Sequence, residues 1–325
     1  MQLDFIAYLI GFPKNLYIHP YKRKNHENIP DHFCYDALRK EGRLMENKTI
    51  VNMETVIDYI EAHLDDRLDL DQVAQAVHYS KYHLHRLFTA TAGMTLHDYV
   101  QRRQLTEAAK LLVFSGRPIL DIALTCGYES QQAFSSAFKA MYKMPPAEFR
   151  RRQVYYPLQL RFALHQHTPS RSFTADDIRL AQSKDIPAMM NLMRLVIDGY
   201  PVMVESDYLQ AITSSINENR ALVLIDGGQL IGAMTFLRNP SCIDFWGIHP
   251  QYRHLGIQKL FLDALIHTYL PGQEISMTTF RAGDRADTGY RALLTQLGFA
   301  ERELLTEFGY PTQRFTYSPK EVTKP

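Results

Sequence analysis

The chain has 325 residues, of which 46% are hydrophobic and 22% charged, and its formal net charge is +1. This length suits about two domains, and the composition excludes a chain that is disordered throughout. No apolar run reaches the roughly 18 residues of a membrane-spanning helix, so a span is excluded. Because the total charge is close to zero, any surface that attracts nucleic acid has to be local.

The N-terminus and the cysteines both bear on where the protein is found. An apolar stretch runs from Phe5 to Phe12, but Asp4 stands where a secretory signal is positively charged, and no small-residue cleavage site follows. We therefore expect no signal peptide. Three cysteines that are far apart and odd in number argue against a disulfide framework and for a reducing, cytoplasmic location; they are Cys34, Cys126 and Cys242.

The sequence pattern divides the chain into four segments. Residues 1–48 form an extension without a sustained helical period, and residues 51–155 carry almost only helical patterning. Residues 156–171, with prolines near both ends, are predicted to be a linker that includes a short strand over 158–164. Residues 172–317 alternate strand-like and helix-like runs.

The start of the extension leaves two hypotheses open. The run from Lys40 to Arg43 can be encoded by purine-rich codons that resemble a ribosome-binding site, and Met45 follows almost at once. Translation would then begin at Met45, and residues 1–44 would be an over-extended reading frame. The alternative is an idiosyncratic N-terminal extension. The intact mass of protein made from its own gene distinguishes the two.

Two short helices joined by a tight turn are predicted between residues 70 and 91. Asp69 or Asp71 can cap the first helix, and Ser80 can cap the second, over residues 81–91. This arrangement is a helix-turn-helix unit, whose second helix enters the DNA major groove by its N-terminal end. The side chains at that end are Lys81, Tyr82, His85 and Arg86.

The same pattern recurs after a longer helix over residues 96–114, on which Arg102 and Arg103 are expected outside the apolar stripe. Pro118 begins the next short helix, Gly127 supplies a turn, and a second recognition-type helix covers residues 131–141. Its aromatic pair is expected in the core, and Cys126 is expected to be a small buried residue.

Local charge supports DNA binding. Between residues 78 and 152, eleven lysines and arginines stand against five acidic residues, which is the excess that phosphate neutralisation needs. Three closely spaced histidines could suggest zinc, but a DNA-facing helix explains their spacing, so no metal site is expected; they are His78, His83 and His85.

Residues 70–150 resemble an AraC/XylS-type DNA-binding domain over its whole length. The matching stretches are Ser80 to Phe88, Ile122 to Lys139 with Cys126-Gly127-Tyr128 inside it, and Pro145 to Arg150. The resemblance implies DNA contacts in two successive major-groove segments, with Arg86 suited to guanine and the glutamines to adenine or backbone. The implied contact residues are Tyr82, His85, Arg86, Gln131, Gln132, Ser136 and Arg150.

The order of elements in residues 172–317 resembles the GNAT acyltransferase fold. A strand over 241–248 leads through a basic, glycine-containing loop into a helix, and a helix N-terminus of this kind can hold a pyrophosphate. Arg253-x-x-Gly256 matches the start of the family's acyl-CoA loop, and Leu297-Gly298-Phe299 matches a second landmark. The resemblance implies acetyl-CoA or another acyl-CoA as cofactor, held by Ile248, Arg253, His254, Leu255, Gly256, Ile257 and Gln258.

Three departures from the GNAT pattern bear on catalysis. Gln258 replaces the last small residue of the loop, Asp287 stands where asparagine is common, and Leu294 stands where many of these enzymes place a tyrosine that reprotonates the thiolate. Tyr290 lies one turn away and is a poor substitute. As general bases, Glu205 and Asp244 are candidates by residue type alone. The catalytic residues are therefore left unassigned.

The expected fold is multidomain: an all-α double helix-turn-helix domain followed by an α+β GNAT-like domain with a mixed, mostly antiparallel sheet. The first functional hypothesis is a transcription regulator that reads double-stranded DNA, with the second domain sensing acyl-CoA or a small-molecule effector. The alternative is an active N-acetyltransferase that carries a DNA-binding domain. RNA polymerase is a partner compatible with the resemblance; no membrane partner is expected.

Overall fold

The computed structural model describes residues 49–165, 172–196, 205–307 and 310–319. These residues belong to one compact unit, Met45–Pro325. The extension and the hypothesis about Met45 lie outside the described residues. None of the helices in the described ranges is both long and apolar enough to cross a bilayer.

Helices make up the described chain from residue 49 to residue 152, as its 3.6-residue periodicity predicts. They are α1 (49–62), α2 (Leu70–Ala76), α3 (Lys81–Ala92), α4 (Leu96–Phe114), α5 (Ile119–Thr125), α6 (Gln131–Tyr142) and α7 (Pro146–Arg152). Two apolar clusters hold them together: one gathers around Leu84, Phe88 and Tyr99, and the other around Phe134, Phe138 and Phe149. Each helix-turn-helix unit therefore has its own core, and α4 contributes to both.

The second part is an α/β domain. Its strands are β1 (Arg179–Leu180), β2 (Ala221–Asp226), β3 (Gln229–Arg238), β4 (Ser241–Ile248), β5 (Ile275–Phe280), β6 (Ala300–Glu307) and β7 (Tyr310–Tyr317). In the described ranges they form one sheet in the order β1-β2-β3-β4-β5-β7-β6, in which only β4 and β5 are parallel neighbours. The mixed, mostly antiparallel sheet is thus confirmed.

Helices cover both faces of this sheet. They are α8 (Ile186–Val196), α9 (Glu205–Asn217), α10 (Ile257–Ala264), continued by a π-helical turn Leu265–Tyr269, and α11 (Tyr290–Gln296). Successive residues of β2 face opposite sides: Leu222 packs in the cluster of α10, whereas Val223 packs in the cluster of α8 and α9. Burial on both faces explains why β2 reads as a continuous apolar run rather than an alternating one.

The strand expected over residues 158–164 does not form, and that prediction is wrong. These residues lie on the helical domain, where side chains take the place of a partner strand. The hydroxyl of Thr106 accepts hydrogen bonds from the backbone N–H of Leu158 and of Gln159, each at 3.1 Å. The hydroxyl of Tyr99 accepts from the N–H of Phe162 at 3.3 Å. An alternating apolar pattern therefore produced burial without a sheet.

The expectation that Arg102 and Arg103 lie outside the apolar stripe of α4 is also wrong, since they are 1% and 7% exposed. Arg103 donates to both carboxylate oxygens of Glu61 at 2.7–3.1 Å and to the carbonyl of Gln159 at 3.0 Å. Arg102 donates to the carbonyl of Ala286 at 2.5 Å. Because each guanidinium has a partner on another segment, both arginines can be buried.

The Arg103–Glu61 pair is predicted to matter far more for stability than a surface pair on the same helix. Glu61→Gln keeps the shape of the side chain but removes the closer of the two carboxylates that pair with the buried Arg103 guanidinium, the other being Glu107 at 3.1 Å. The loss should cost about 3 kcal/mol, the lower end of the range for a broken buried pair. Asp58, also on α1, pairs with Arg161 at an exposed position, so Asp58→Asn should cost no more than about 1 kcal/mol. Urea unfolding of the full chain measures both, and equal losses would contradict the assignment.

A buried histidine predicts a dependence of stability on pH. His249 stacks on His165 with ring centroids 4.1 Å apart, and burial, together with His165, lowers the pKa of His249 to about 3. The unfolded chain takes up this proton near pH 6.5 while the folded chain does not, so stability falls as the pH drops below about 6.5.

In His249→Gln this contribution disappears. The free energy of unfolding of the variant should therefore fall less steeply between pH 6 and pH 4, by up to about 1.4 kcal/mol for each pH unit. Denaturant titrations at several pH values test this. Parallel curves for variant and wild type would show that His249 takes up its proton equally in the folded and unfolded chain.

Candidate nucleic-acid interface

Two N-caps and a tight turn position the first recognition helix, α3. Asp69 caps α2 in a reciprocal pair of hydrogen bonds with Gln72, and Ser80 caps α3 by accepting from the N–H of His83 at 3.4 Å. His78 takes a positive φ of 57° in the turn between them. The caps and turn fix the angle at which α3 leaves α2.

The residues predicted to contact DNA from α3 all face solvent. Tyr82 is 85% exposed, and His85 and Arg86 are exposed on the same face. Leu84 and Phe88 are fully buried on the opposite face. The N-terminal turn of α3 thus presents polar side chains on a rigid support, as major-groove reading requires.

The second unit repeats this construction. Ser130 caps α6 by accepting from the N–H of Ala133 at 3.1 Å, and its predicted contacts, Gln131, Gln132 and Ser136, are all exposed. The turn before it needs glycine at position 127, for two reasons. The φ is +76°, and a Cβ there would lie 2.7 Å from the carbonyl oxygen of Asp66.

Cys126 in the same turn is buried, which raises the pKa of its thiol to about 12. The thiol is therefore uncharged near neutral pH and has the character of a packing residue rather than a nucleophile or a metal ligand. This agrees with the role expected for it.

The charge balance of the region is smaller than the sequence count indicates. Arg102 and Arg103 are buried, and the ammonium of Lys143 lies 2.6 Å from the Asp284 carboxylate in the α/β domain. Without these three, eight cations stand against the five acids of residues 78–152. Lys81 is further balanced by Asp71, whose hydrogen bond raises the pKa of the lysine.

Arg150 has a structural role beside its predicted contact with DNA. Its guanidinium donates to the carbonyl of Arg117 at 2.6 Å and to that of Leu112 at 3.3 Å, so it ties α7 to the end of α4. Arg151 and Arg152 follow it on the exposed side. The contact of Arg150 with DNA stays a prediction.

The opposite ends of both recognition helices contact the α/β domain. A Cβ on Gly93, which ends α3, would lie 3.0 Å from Cδ of Arg253. Lys143, which ends α6, pairs with Asp284, and between them Arg102 reaches the carbonyl of Ala286. We call these contacts the joint; its members are Gly93, Arg102 and Lys143 on one side and Arg253, Asp284 and Ala286 on the other.

The loop predicted to hold acyl-CoA lies at the edge of the joint. Ile248 is buried at the end of β4, and Arg253, His254 and Leu255 belong to a short 3-10 helix, Pro250–Leu255. Gly256 follows with a φ of +69° and leads into α10, whose first residues, Ile257 and Gln258, are buried.

Arg253 itself is already engaged by protein groups. Its guanidinium lies 5.6 Å from the ring centroid of Tyr290 and donates to the hydroxyl of Tyr290 and to the carbonyl of Ile248, each at 3.4 Å. Partial shielding from water lowers the pKa of the neighbouring His254. The exposed part of the loop is His254, Leu255 and Gly256.

Known proteins that are similar to the helical region are helix-turn-helix regulators. A family model described as "Helix-turn-helix domain" matches residues 73–152. The regulatory protein SoxS of Salmonella typhimurium is 40% identical over 100 residues, which are 31% of this chain and 94% of SoxS. The transcriptional regulator Rob of the same organism is 36% identical over 131 residues, 40% of this chain and 44% of Rob.

The α/β domain was compared with solved structures. A GNAT-family acetyltransferase from Bacillus cereus superimposes with a TM-score of 0.36 and 15% identity, over 44% of this chain and 97% of the other.

The chain spans less than half of the length of Rob but nearly all of SoxS. A double helix-turn-helix DNA-binding protein is therefore the class that fold and sequence define. The chain belongs to the AraC/XylS-type helix-turn-helix regulators.

The joint was not predicted from the sequence. Arg102 and Ala286 are 184 positions apart, and Lys143 and Asp284 are 141 positions apart. Neither basic residue differs in type from the surface cations around it. The one sequence feature that could have indicated a buried contact is the position of the arginine pair beside the apolar stripe of α4.

Replacement of Arg86 by alanine tests base reading by α3. The test needs a duplex obtained by selecting random DNA for binding to the protein, which we call the selected duplex, and a scrambled duplex of the same composition. If the guanidinium contacts guanine, Arg86→Ala should cost about 1–3 kcal/mol of binding free energy on the selected duplex and much less on the scrambled one. Arg151→Ala, which removes an exposed cation at the end of α7, should weaken both duplexes by similar amounts. Fluorescence anisotropy measures the four affinities, and an equal loss for Arg86→Ala on both duplexes would make Arg86 a phosphate contact.

Proposed function

We propose that the protein regulates transcription by binding double-stranded DNA through α3 and α6, and that its α/β domain senses acyl-CoA or another small ligand. The observation that carries this proposal is the joint. The predicted reading ends of α3 and α6 are exposed, whereas their opposite ends rest on one and the same domain. We call the recognition helices α3 and α6 the readers. A ligand that changes the conformation of the α/β domain can therefore change the position of both readers at once.

Acyl-CoA suits part of the loop. The diphosphate would lie at the N-terminus of α10, where the backbone of Gly256, Ile257 and Gln258 supplies N–H donors and the helix dipole favours an anion. Gly256 is exposed, and a Cβ there would meet no atom within 4 Å, so an anion can reach this backbone. When bound, the thioester would supply an activated acyl group.

Arg253 connects this loop with the joint. Its side chain packs against Gly93 at the end of α3, so a ligand that draws the guanidinium toward a phosphate removes a contact with the first recognition helix. Ligand binding and domain docking would then compete for one side chain. This is the physical basis on which we propose sensing.

Sensing is favoured over catalysis by the residues near the loop. Leu294, at the position expected for the proton donor, is 1% exposed in the apolar core. The hydroxyl of Tyr290 accepts a hydrogen bond from Arg253. Glu205 is held by both of its oxygens to Arg194 at 2.7 and 2.9 Å, and this pairing lowers the pKa of Glu205. Of the candidates named from the sequence, Leu294, Tyr290 and Glu205 are therefore poorly suited to proton transfer, and Asp244 is exposed on β4.

Calorimetric titration of acetyl-CoA into the full chain tests the sensor. We expect micromolar binding that Gly256→Asp abolishes, because the new carboxylate would face the diphosphate. Gly272→Asp is the matched control: Gly272 has a φ of +71° and open space around it, as Gly256 does, but it lies in another loop. Absence of binding up to millimolar acetyl-CoA would eliminate both this cofactor and the acetyltransferase.

A second measurement links the ligand to DNA. Saturating acetyl-CoA should change the affinity of the full chain for its selected duplex and leave Gly256→Asp unaffected. If acetyl-CoA binds but DNA affinity stays the same in both proteins, the α/β domain does not regulate DNA binding through this loop.

A further inference from the structure

A cavity lies beside the joint, in the space between the two domains. Its volume is about 210 Å³. Thr89 and Met94 line it from the end of α3, Met141 from the end of α6, and Arg285 and Asp287 from the loop between β5 and α11. An occupant would therefore touch both recognition helices and the α/β domain simultaneously.

The charged groups of the cavity are balanced. Asp98 and Asp287 stand against Arg102 and Arg285. The two carboxylates are fixed in place: Asp98 accepts from the hydroxyl of Thr95 at 2.7 Å, and Asp287 accepts from two backbone N–H groups at the start of α11, at 2.9 and 2.8 Å. Two acids and two bases around one small space favour a ligand that carries both charges.

One polar atom in the lining lacks a protein partner. The hydroxyl oxygen of Thr89 is buried and makes no hydrogen bond within the described part of the chain. Buried polar groups normally have a partner, because leaving one unsatisfied costs free energy. A ligand with a hydrogen-bonding group at this position would supply the missing partner.

The size and the remaining lining narrow the class of ligand. The cavity is smaller than the pockets of about 300–1,000 Å³ that hold drug-sized ligands, so it suits a small metabolite and is too little for a whole coenzyme A. Met94 and Met141 are flexible and apolar, so they can adapt to a small hydrocarbon group.

We propose that this cavity binds a small zwitterion with an apolar side chain, of the type of a free aliphatic amino acid. Its carboxylate would face the arginines, its ammonium would face the aspartates, and its side chain would lie on the two methionines. Because this occupant would contact the ends of α3 and α6 together, it would stabilise one relative position of the two readers. The proposal goes beyond acyl-CoA sensing and does not depend on it.

Thermal unfolding of the full chain tests the cavity with defined probes. The probes are L-valine, L-leucine, L-isoleucine and L-methionine at millimolar concentration, and the controls for L-leucine are 3-methylbutylamine and 4-methylpentanoate, which each lack one of its charges. We expect at least one amino acid to raise the Tm by several degrees, and neither single-charge control to do so. No shift with any of the four, or equal shifts with the controls, would overturn the proposal.

Two variants locate the effect. Arg285 is exposed, so Arg285→Ala should fold normally and weaken binding of the active amino acid at least tenfold. Thr89→Val keeps the size of the side chain and removes the hydroxyl, and it should weaken binding as well. Arg302→Ala removes an exposed arginine on β6, which does not line the cavity, and should bind like wild type. If Arg285→Ala and Thr89→Val also bind like wild type, the amino acid binds elsewhere.

Discussion

The rest of the structure depends on three buried polar side chains of α4, which are Arg102, Arg103 and Thr106. Arg103 pairs with Glu61 on α1 and reaches the segment after α7, and Thr106 accepts hydrogen bonds from the same segment. Arg102 reaches the α/β domain. Because an unpaired buried guanidinium is costly, these partners have to be in place together. One helix therefore couples α1, the connecting segment and the second domain.

Through this coupling, the α/β domain lies behind both recognition helices. The caps at Ser80 and Ser130 orient the exposed turns of α3 and α6, and the opposite ends of these helices rest on the α/β domain at the joint. The loop that we propose holds acyl-CoA and the interdomain cavity both adjoin the joint. Under our proposal, a ligand at either place acts on the readers by changing this docking rather than by contacting DNA.

Local features could be predicted from the sequence because they depend on near neighbours. The caps at Asp69 and Ser80, the turn at Gly127, the sidedness of α3 and α6 and the extent of β4 follow from periodicity and turn residues. The fate of charged and extended residues could not be predicted, because it depends on distant partners. Arg102 and Lys143 look like surface cations until Ala286 and Asp284 are placed beside them. Residues 158–164 have the pattern of a strand, but the side chains of α4 satisfy their backbone.

We infer that the α/β domain stays docked behind both recognition helices while they hold DNA. Spin labels can be attached at Lys139→Cys on α6 and Lys259→Cys on α10, both exposed positions, in a background with Cys34 and Cys242 replaced by serine. Pulsed dipolar spectroscopy then measures the distance between the two domains. The account predicts one narrow distance distribution, retained when the selected duplex is bound. A broad distribution, in the free protein or on DNA, would contradict it.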